Sequence, residues 1–383
     1  MALHFSADEF AGRLARLQAG MAEARLDAML LFAQESMYWL TGYDTFGFCF
    51  YQTLLVTADG RMALLTRSAD LRQAQLTSIL RDIRVWRDAA GADPTKDTAA
   101  LVREFGLAGK RIGVEYDSYG LTHFNGKRLE ASLEGVATLV DVSSLAPRLR
   151  AVKSPAEIAY VRRAAQLSDA ADAAALAAIR AGADEGHILA AQHAAIFEGG
   201  GDYPGNEFII GSGREALLCR YKAGRRTLDP QDQITLEFAG AYRHYHAALM
   251  RTVVVGEPRA LHVAYHAAAR EALLACEAMI RPGATAGDVF AAHARVFEAH
   301  GLSEHRLNAC GYSLGAKFTP SWMDPPMFYA DHAWAMEPGM VMFAHMILMD
   351  SASETAMCLA RTSLVTETGS EPLNGADLGL MVR

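Results

Sequence analysis

The sequence predicts two domains, an N-terminal α/β domain over residues 1–149 and a larger α+β domain over 150–383. Three observations carry this. At 383 residues the chain exceeds what one hydrophobic core normally organises. Its first part alternates helical patterns with short apolar strands, the mark of a mixed α/β layer. At Arg150 the character changes, because RAVKSPAEIAYVRRAA opens a long alanine-rich helix running towards Gly182. Ser154 stands there as cap with Pro155 at the first helical position.

The elements follow in order. SADEFAGRLARLQAGMAEARL has apolar residues at helical spacing behind a capping Ser6. DAMLLFA reads as a short buried strand, and QTLLVTADGRMALLT as two strands across an Asp-Gly turn. RIGVEYD and VATLVDVSS read as two further strands. After the alanine-rich helix come a glycine-rich loop, strands with a hairpin, a helix pair over 259–281 and 286–300, and closing strands.

Composition bounds the function. The chain is 51% hydrophobic and 21% charged, with a net charge of −8 and no basic run interleaved with aromatics, which argues against nucleic acid as a partner. No apolar stretch is long enough to span a bilayer, and MALHFSADEF lacks the pattern of a secretory leader, so a cytoplasmic protein is expected. Five cysteines, scattered without CxxC spacing, read as reduced thiols.

The chemistry gathers in ITLEFAGAYRHYHAALMRTVVVGEP. Read as a hairpin of 233–239 and 244–255 across AGAYR, its second strand puts His244, His246, Ala248 and Met250 on one face and Tyr245, Ala247, Leu249 and Arg251 on the other. Glu237 is an isolated acid in an apolar strand, a costly placement unless the carboxylate is paired, hydrogen-bonded or used. The local pattern leaves two readings open: a reacting carboxylate, or a surface glutamate beside solvated histidines.

Several segments, in this order and spacing, resemble the creatinase/prolidase/methionine-aminopeptidase superfamily, whose catalytic domain has the pita-bread fold. They are YWLTGYD, RAVKSPAEIAYVRRAA, YHAALMRTVVVGEP, IRPGATAGDVF, GYSLG, MEPGMV and LVTETG. The resemblance implies a creatinase-type N-terminal α/β domain over 1–149, an α+β pita-bread catalytic domain over 150–383, and a homodimer. Peptidases of that superfamily hold two metals with Asp, Asp, His, Glu and Glu. Those positions fall here on Glu237, Ala248, Tyr312, His345 and a site near Ala360. Two ligands do not make a dinuclear centre, so no metal and no cofactor are expected.

Two metal-free branches remain. The creatinase positions for a histidine and two glutamates fall on Arg220, Met250 and His345. The ectoine hydrolase branch is nearer, through EFAGAYRHYH, GGDYP at 200–204 and GYSLG. That resemblance implies hydrolysis of a C–N bond in a small amino-acid-like amidine or amide. On that resemblance Glu237 is expected to attack the carbon or activate a water, and His246 to move protons. Tyr203, Tyr245, Tyr312 and His345 are expected to bind the substrate, and Phe48 with its aromatic neighbours to close the pocket from the partner subunit. Arg220 departs from that branch, standing where relatives keep a substrate-contacting histidine, and as an arginine is expected to grip a substrate carboxylate. Trp322 is a further wall. The alternatives are a metal-dependent Xaa-Pro peptidase, a creatinase-like amidinohydrolase and a ligand-binding pseudoenzyme.

Overall fold

Ser6 accepts a hydrogen bond from the Glu9 amide at 3.2 Å and so begins α1 (Ala7–Glu23), the first element of the computed structural model. Residues 3–220 and 225–383 are described. The chain divides into two units, Met1–Arg150 and Ala151–Arg383. Among the described residues no helix is long and apolar enough to cross a membrane.

The first unit is built on β1 (Ala28–Leu31), β2 (Thr53–Thr57), β3 (Met62–Arg67), β4 (Ile83–Trp86), β5 (Arg111–Val114) and β6 (Thr138–Asp141), in the order β4-β3-β2-β1-β5-β6. β2 runs antiparallel to both neighbours, whereas β1, β5 and β6 are parallel. Every residue of β1 and β2 is buried, which explains why they read as continuous apolar runs without alternation. The helices are α2 (Gln34–Thr41), α3 (Leu71–Thr77), α4 (Pro94–Glu104), α5 (His123–Leu133) and α6 (Leu145–Ala151). This is an α/β domain with a mixed sheet.

The second unit opens with α7 (Pro155–Ala178) and α8 (Glu185–Glu198), followed by β7 (Ile209–Ser212), β8 (Asp232–Tyr242) and β9 (Tyr245–Val255). Next come α9 (Ala260–Met279), α10 (Ala286–Ala299), β10 (Gly311–Ser313) and β11 (Asp324–Met327). β12 (Val341–Asp350), β13 (Thr355–Val365), β14 (Ser370–Pro372) and β15 (Met381–Val382) complete it. The main sheet runs β11-β10-β12-β13-β9-β8-β7, with β14 beside β13 and β15 beside β9.

Helices cover one face of this sheet, α7 on β8 and β9, and α9 on β12 and β13. Helix α7 starts with a full capping box: Ser154 Oγ accepts from the Glu157 amide, and Glu157 Oε2 accepts from the Ser154 amide at 2.8 Å. The alanines let α7 approach closely. At Gly240 of β8 an added Cβ would lie 2.0 Å from the Ala164 carbonyl oxygen, so the hairpin meets the helix backbone to backbone. A buried Arg251–Asp172 pair (3.2 Å) and an Arg361–Glu277 pair (Nη2 to Oε2 2.6 Å) tie the same sheet face to α7 and α9. The opposite face is thereby left for chemistry.

The hairpin differs from the sequence reading. β8 continues to Tyr242 and pairs it with Tyr245, so the turn is only Arg243–His244, with φ of 49° and 64°. Two left-handed residues match the twist of a two-residue hairpin. Neither Arg nor His advertises that conformation, which is why AGAYR looked like the loop. His244 consequently belongs to the turn, stacked on Phe318 at 4.1 Å, and not to the strand.

Candidate active site

The strand register brings the site together. Across the sheet, Ile209 pairs with Glu237, Glu237 with Met250, Met250 with Ala360, and Ala360 with His345. Alternation puts Ala248, two residues from Met250, on this face, where it pairs with Ala239. Tyr312 of β10 pairs with Phe343, two residues before His345, and joins the same face.

Glu237 keeps only 8% of its surface exposed and is the acid of the cluster. Tyr312, itself 3% exposed, donates its hydroxyl proton to Glu237 Oε1 at 3.2 Å. Burial pushes the Glu237 carboxyl up to about 7, against the opposing pull of that hydrogen bond and of the Arg220 cation. A carboxyl held there exchanges its proton near neutrality, as a general base or acid must. Burial and the Glu237 charge raise the Tyr312 phenol well above its ordinary value, so it stays a hydrogen-bond donor.

His345 lies with its ring centroid 5.6 Å from that of Tyr312. Burial lowers its imidazole to about 4, so it is neutral at pH 7. Its Nδ1 is buried without a hydrogen-bond partner. Arg220 is exposed and acts electrostatically on Glu237, Tyr312 and His345 together. Lys222, two residues after Arg220 in the basic stretch GSGREALLCRYKAGRR, lies outside the described residues.

Three expected site residues are placed otherwise. His246 shares the face of Glu237, but both ring nitrogens serve the backbone: Nε2 accepts from the Gly205 amide at 2.8 Å and Nδ1 donates to the Gly315 carbonyl at 3.3 Å. Burial holds it down to about 4. A neutral imidazole with both nitrogens engaged is a strap, not a proton shuttle. Tyr245 points to the helix face, where its hydroxyl donates to Glu157 Oε1 at 2.6 Å, the carboxylate that caps α7. Tyr203 is 79% exposed, edge-on to Phe197, and does not line the Glu237 cluster. The GGDYP loop is tied down by its neighbours instead, the Asp202 amide donating to the Ala241 carbonyl at 2.8 Å and Gly205 to His246. Phe48 belongs to the first unit, buried and edge-on to Phe46.

Trp322, expected only as a wall, and two cysteines not singled out as site groups also bear on Glu237. Trp322, 1% exposed, donates its Nε1 proton to the Tyr312 hydroxyl oxygen at 2.9 Å. Cys358 lies on the site face of β13, two residues from Ala360, a position that alternation alone marks. Burial and nearby Glu237 raise the Cys219 thiol to about 11, and burial raises Cys358 well above its usual value. Both are thiols at neutral pH, which removes them as nucleophiles.

The donor set does not fit a dinuclear metal centre. The positions that resemble ligand sites present one carboxylate and one imidazole beside alanines and a tyrosine whose oxygen is already engaged. Among the described residues no three His, Cys, Asp or Glu side chains converge as metal ligands.

Comparison with known proteins places this site in context. The model of metallopeptidase family M24 matches residues 159–367, and that of the creatinase/prolidase N-terminal domain matches residues 13–152. Ectoine hydrolase of Halomonas elongata is 26% identical over 97% of this chain and 97% of its own. An uncharacterized hydrolase/peptidase of Sinorhizobium fredii is 28% identical over 100% of this chain and 99% of its own. Among solved structures, the Xaa-Pro dipeptidase from Bacillus anthracis matches with a TM-score of 0.85 at 22% identity, over 98% of this chain and 100% of that one. That likeness carries the architecture: an N-terminal α/β domain followed by a pita-bread domain.

Proposed function

We propose that this chain, which belongs to metallopeptidase family M24, is a hydrolase that opens a C–N bond in a small amino-acid-like amidine or amide without a metal. The observation that carries the reading is the isolation of Glu237. One buried carboxylate, poised near neutrality and hydrogen-bonded by Tyr312, stands where a metal centre needs several ligands. The similarity to ectoine hydrolase over nearly the whole chain supports the substrate class.

In this reading an amidinium supplies its own electrophilic carbon. The Glu237 carboxylate takes a proton from water as the oxygen bonds to that carbon, the C–N bond then breaks, and the proton passes to the departing nitrogen. A direct attack by Glu237 differs only in that water enters at the second step. Arg220 grips a substrate carboxylate at the rim. Neutral His345 offers a ring nitrogen to the substrate as a hydrogen-bond partner. The enzyme works as a cytoplasmic homodimer, with the Phe48 segment closing the partner's site and excluding water.

The test is a panel of ectoine, hydroxyectoine, creatine and an Xaa-Pro dipeptide offered to EDTA-treated protein and to Glu237→Gln, with products read by mass spectrometry. Turnover of an amidine that survives EDTA and is lost in Glu237→Gln is expected. Dipeptide cleavage abolished by EDTA would instead establish an Xaa-Pro peptidase, and turnover of nothing would leave a ligand-binding pseudoenzyme.

A further inference from the structure

We infer that Trp322 is a positioning residue for Glu237, acting through Tyr312 by fixing the direction of the hydrogen bond between them. The inference rests on the reading of Glu237 as the reacting group. An indole N–H only donates. At 2.9 Å from the Tyr312 oxygen, Trp322 Nε1 engages that oxygen as an acceptor and leaves the phenolic proton for Glu237 Oε1, 3.2 Å away. The chain Trp322 to Tyr312 to Glu237 therefore has one sense.

That sense has a chemical consequence. A tyrosine free to rotate can either donate to a carboxylate or accept from a carboxylic acid, and so favours neither form strongly. A tyrosine whose acceptor side is occupied by a donor favours the carboxylate. In this buried site, where burial opposes ionisation, the indole biases Glu237 towards the form that accepts a proton.

Trp322 is itself held. Its amide donates to Asn206 Oδ1 at 3.1 Å, and its ring lies 6.3 Å from that of His246. An added Cβ at Gly205 would come within 3.0 Å of the Trp322 amide nitrogen, so a larger residue there would push on the tryptophan. The GGDYP loop and the His246 strap thus bear on Glu237 through Trp322, without touching the substrate.

The experiment titrates Glu237 directly, by carbon-13 NMR of protein labelled at glutamate Cδ, with Glu237→Gln identifying its resonance. No turnover is needed. Trp322→Phe and a variant with 3-benzothienylalanine at position 322, which keeps the ring shape and loses only the N–H, are compared with Tyr312→Phe and with the Trp322→Phe/Tyr312→Phe pair. The expected result is an upward move of the Glu237 midpoint by about one unit in both position-322 variants. Tyr312→Phe should move it at least as far, and the double variant no further than Tyr312→Phe alone. An unchanged or lowered midpoint in the benzothienylalanine variant overturns the inference. Activity retained in Glu237→Gln would overturn the hydrolase reading and leave this titration intact.

Discussion

The Tyr312 hydroxyl donates to Glu237 Oε1 across 3.2 Å, joining the middle residue of β10 to the middle residue of β8. Two strands, β8 and β10, separated in the sheet by β9, β13 and β12, are thus linked above the sheet by one hydrogen bond. Removing it with Tyr312→Phe raises the Glu237 midpoint and leaves the buried Trp322 Nε1 proton without its acceptor. The stability cost is about 1–3 kcal/mol, read by urea unfolding, and the acid-side limb of kcat/KM against pH, where Glu237 loses its proton, moves to higher pH.

Glu237→Gln abolishes hydrolysis by about 10²- to 10⁴-fold if the carboxylate is the base. In the parent protein, log kcat/KM rises with pH to a plateau above an apparent value of about 7, the position to which burial drives this carboxyl. A limb near the ordinary carboxylate range would remove Glu237 from that role.

The same group leaves a mark on stability. Glu237 holds its proton more tightly folded than unfolded, so its contribution is full below its ordinary value of 4.5 and is lost as pH rises through about 7. The loss is about 3 kcal/mol. Glu237→Gln lacks this slope and gains on the parent between those pH values, which unfolding at pH 5 and pH 8 measures.

Arg220→Gln raises KM for a carboxylate-bearing substrate by about tenfold or more and leaves folding stability nearly unchanged, because the side chain is exposed. Removing the cation also moves the Glu237 limb to higher pH. Arg220→Lys recovers part of the charge effect and little of the forked grip. An equal KM for neutral and carboxylate substrates in the parent protein would contradict this role.

His246→Ala tests the strap. It strands the Gly205 amide in the interior and costs about 1–3 kcal/mol, while the pH limb at about 7 stays. His246 also contributes in the opposite pH direction from Glu237. Its imidazole is held down to about 4, so its contribution is present above 6.5 and lost as pH falls towards 4. A limb that vanishes in His246→Ala with stability unchanged would return it to proton transfer.

By itself the sequence determined the fold class and the face on which the chemistry lies. Helical and strand periodicities are local, and a pleated strand cannot put Glu237 in register with Met250 without putting Ala239 opposite Ala248 on the same side. The loss of metal-ligand residue types at spaced positions was legible for the same reason, since identity and order need no coordinates. What each ring nitrogen and hydroxyl touches was not legible. His246 passes from shuttle to strap because a loop 41 residues away supplies the Gly205 amide. Tyr245 turns away because Glu157, 88 residues earlier, waits on the other face. Trp322 reads only as a wall until Tyr312 is found 2.9 Å from its N–H. Hydrogen bonds are decided by contacts of a few ångströms between groups distant in the chain, and only tertiary packing, which also desolvates Glu237, sets those contacts.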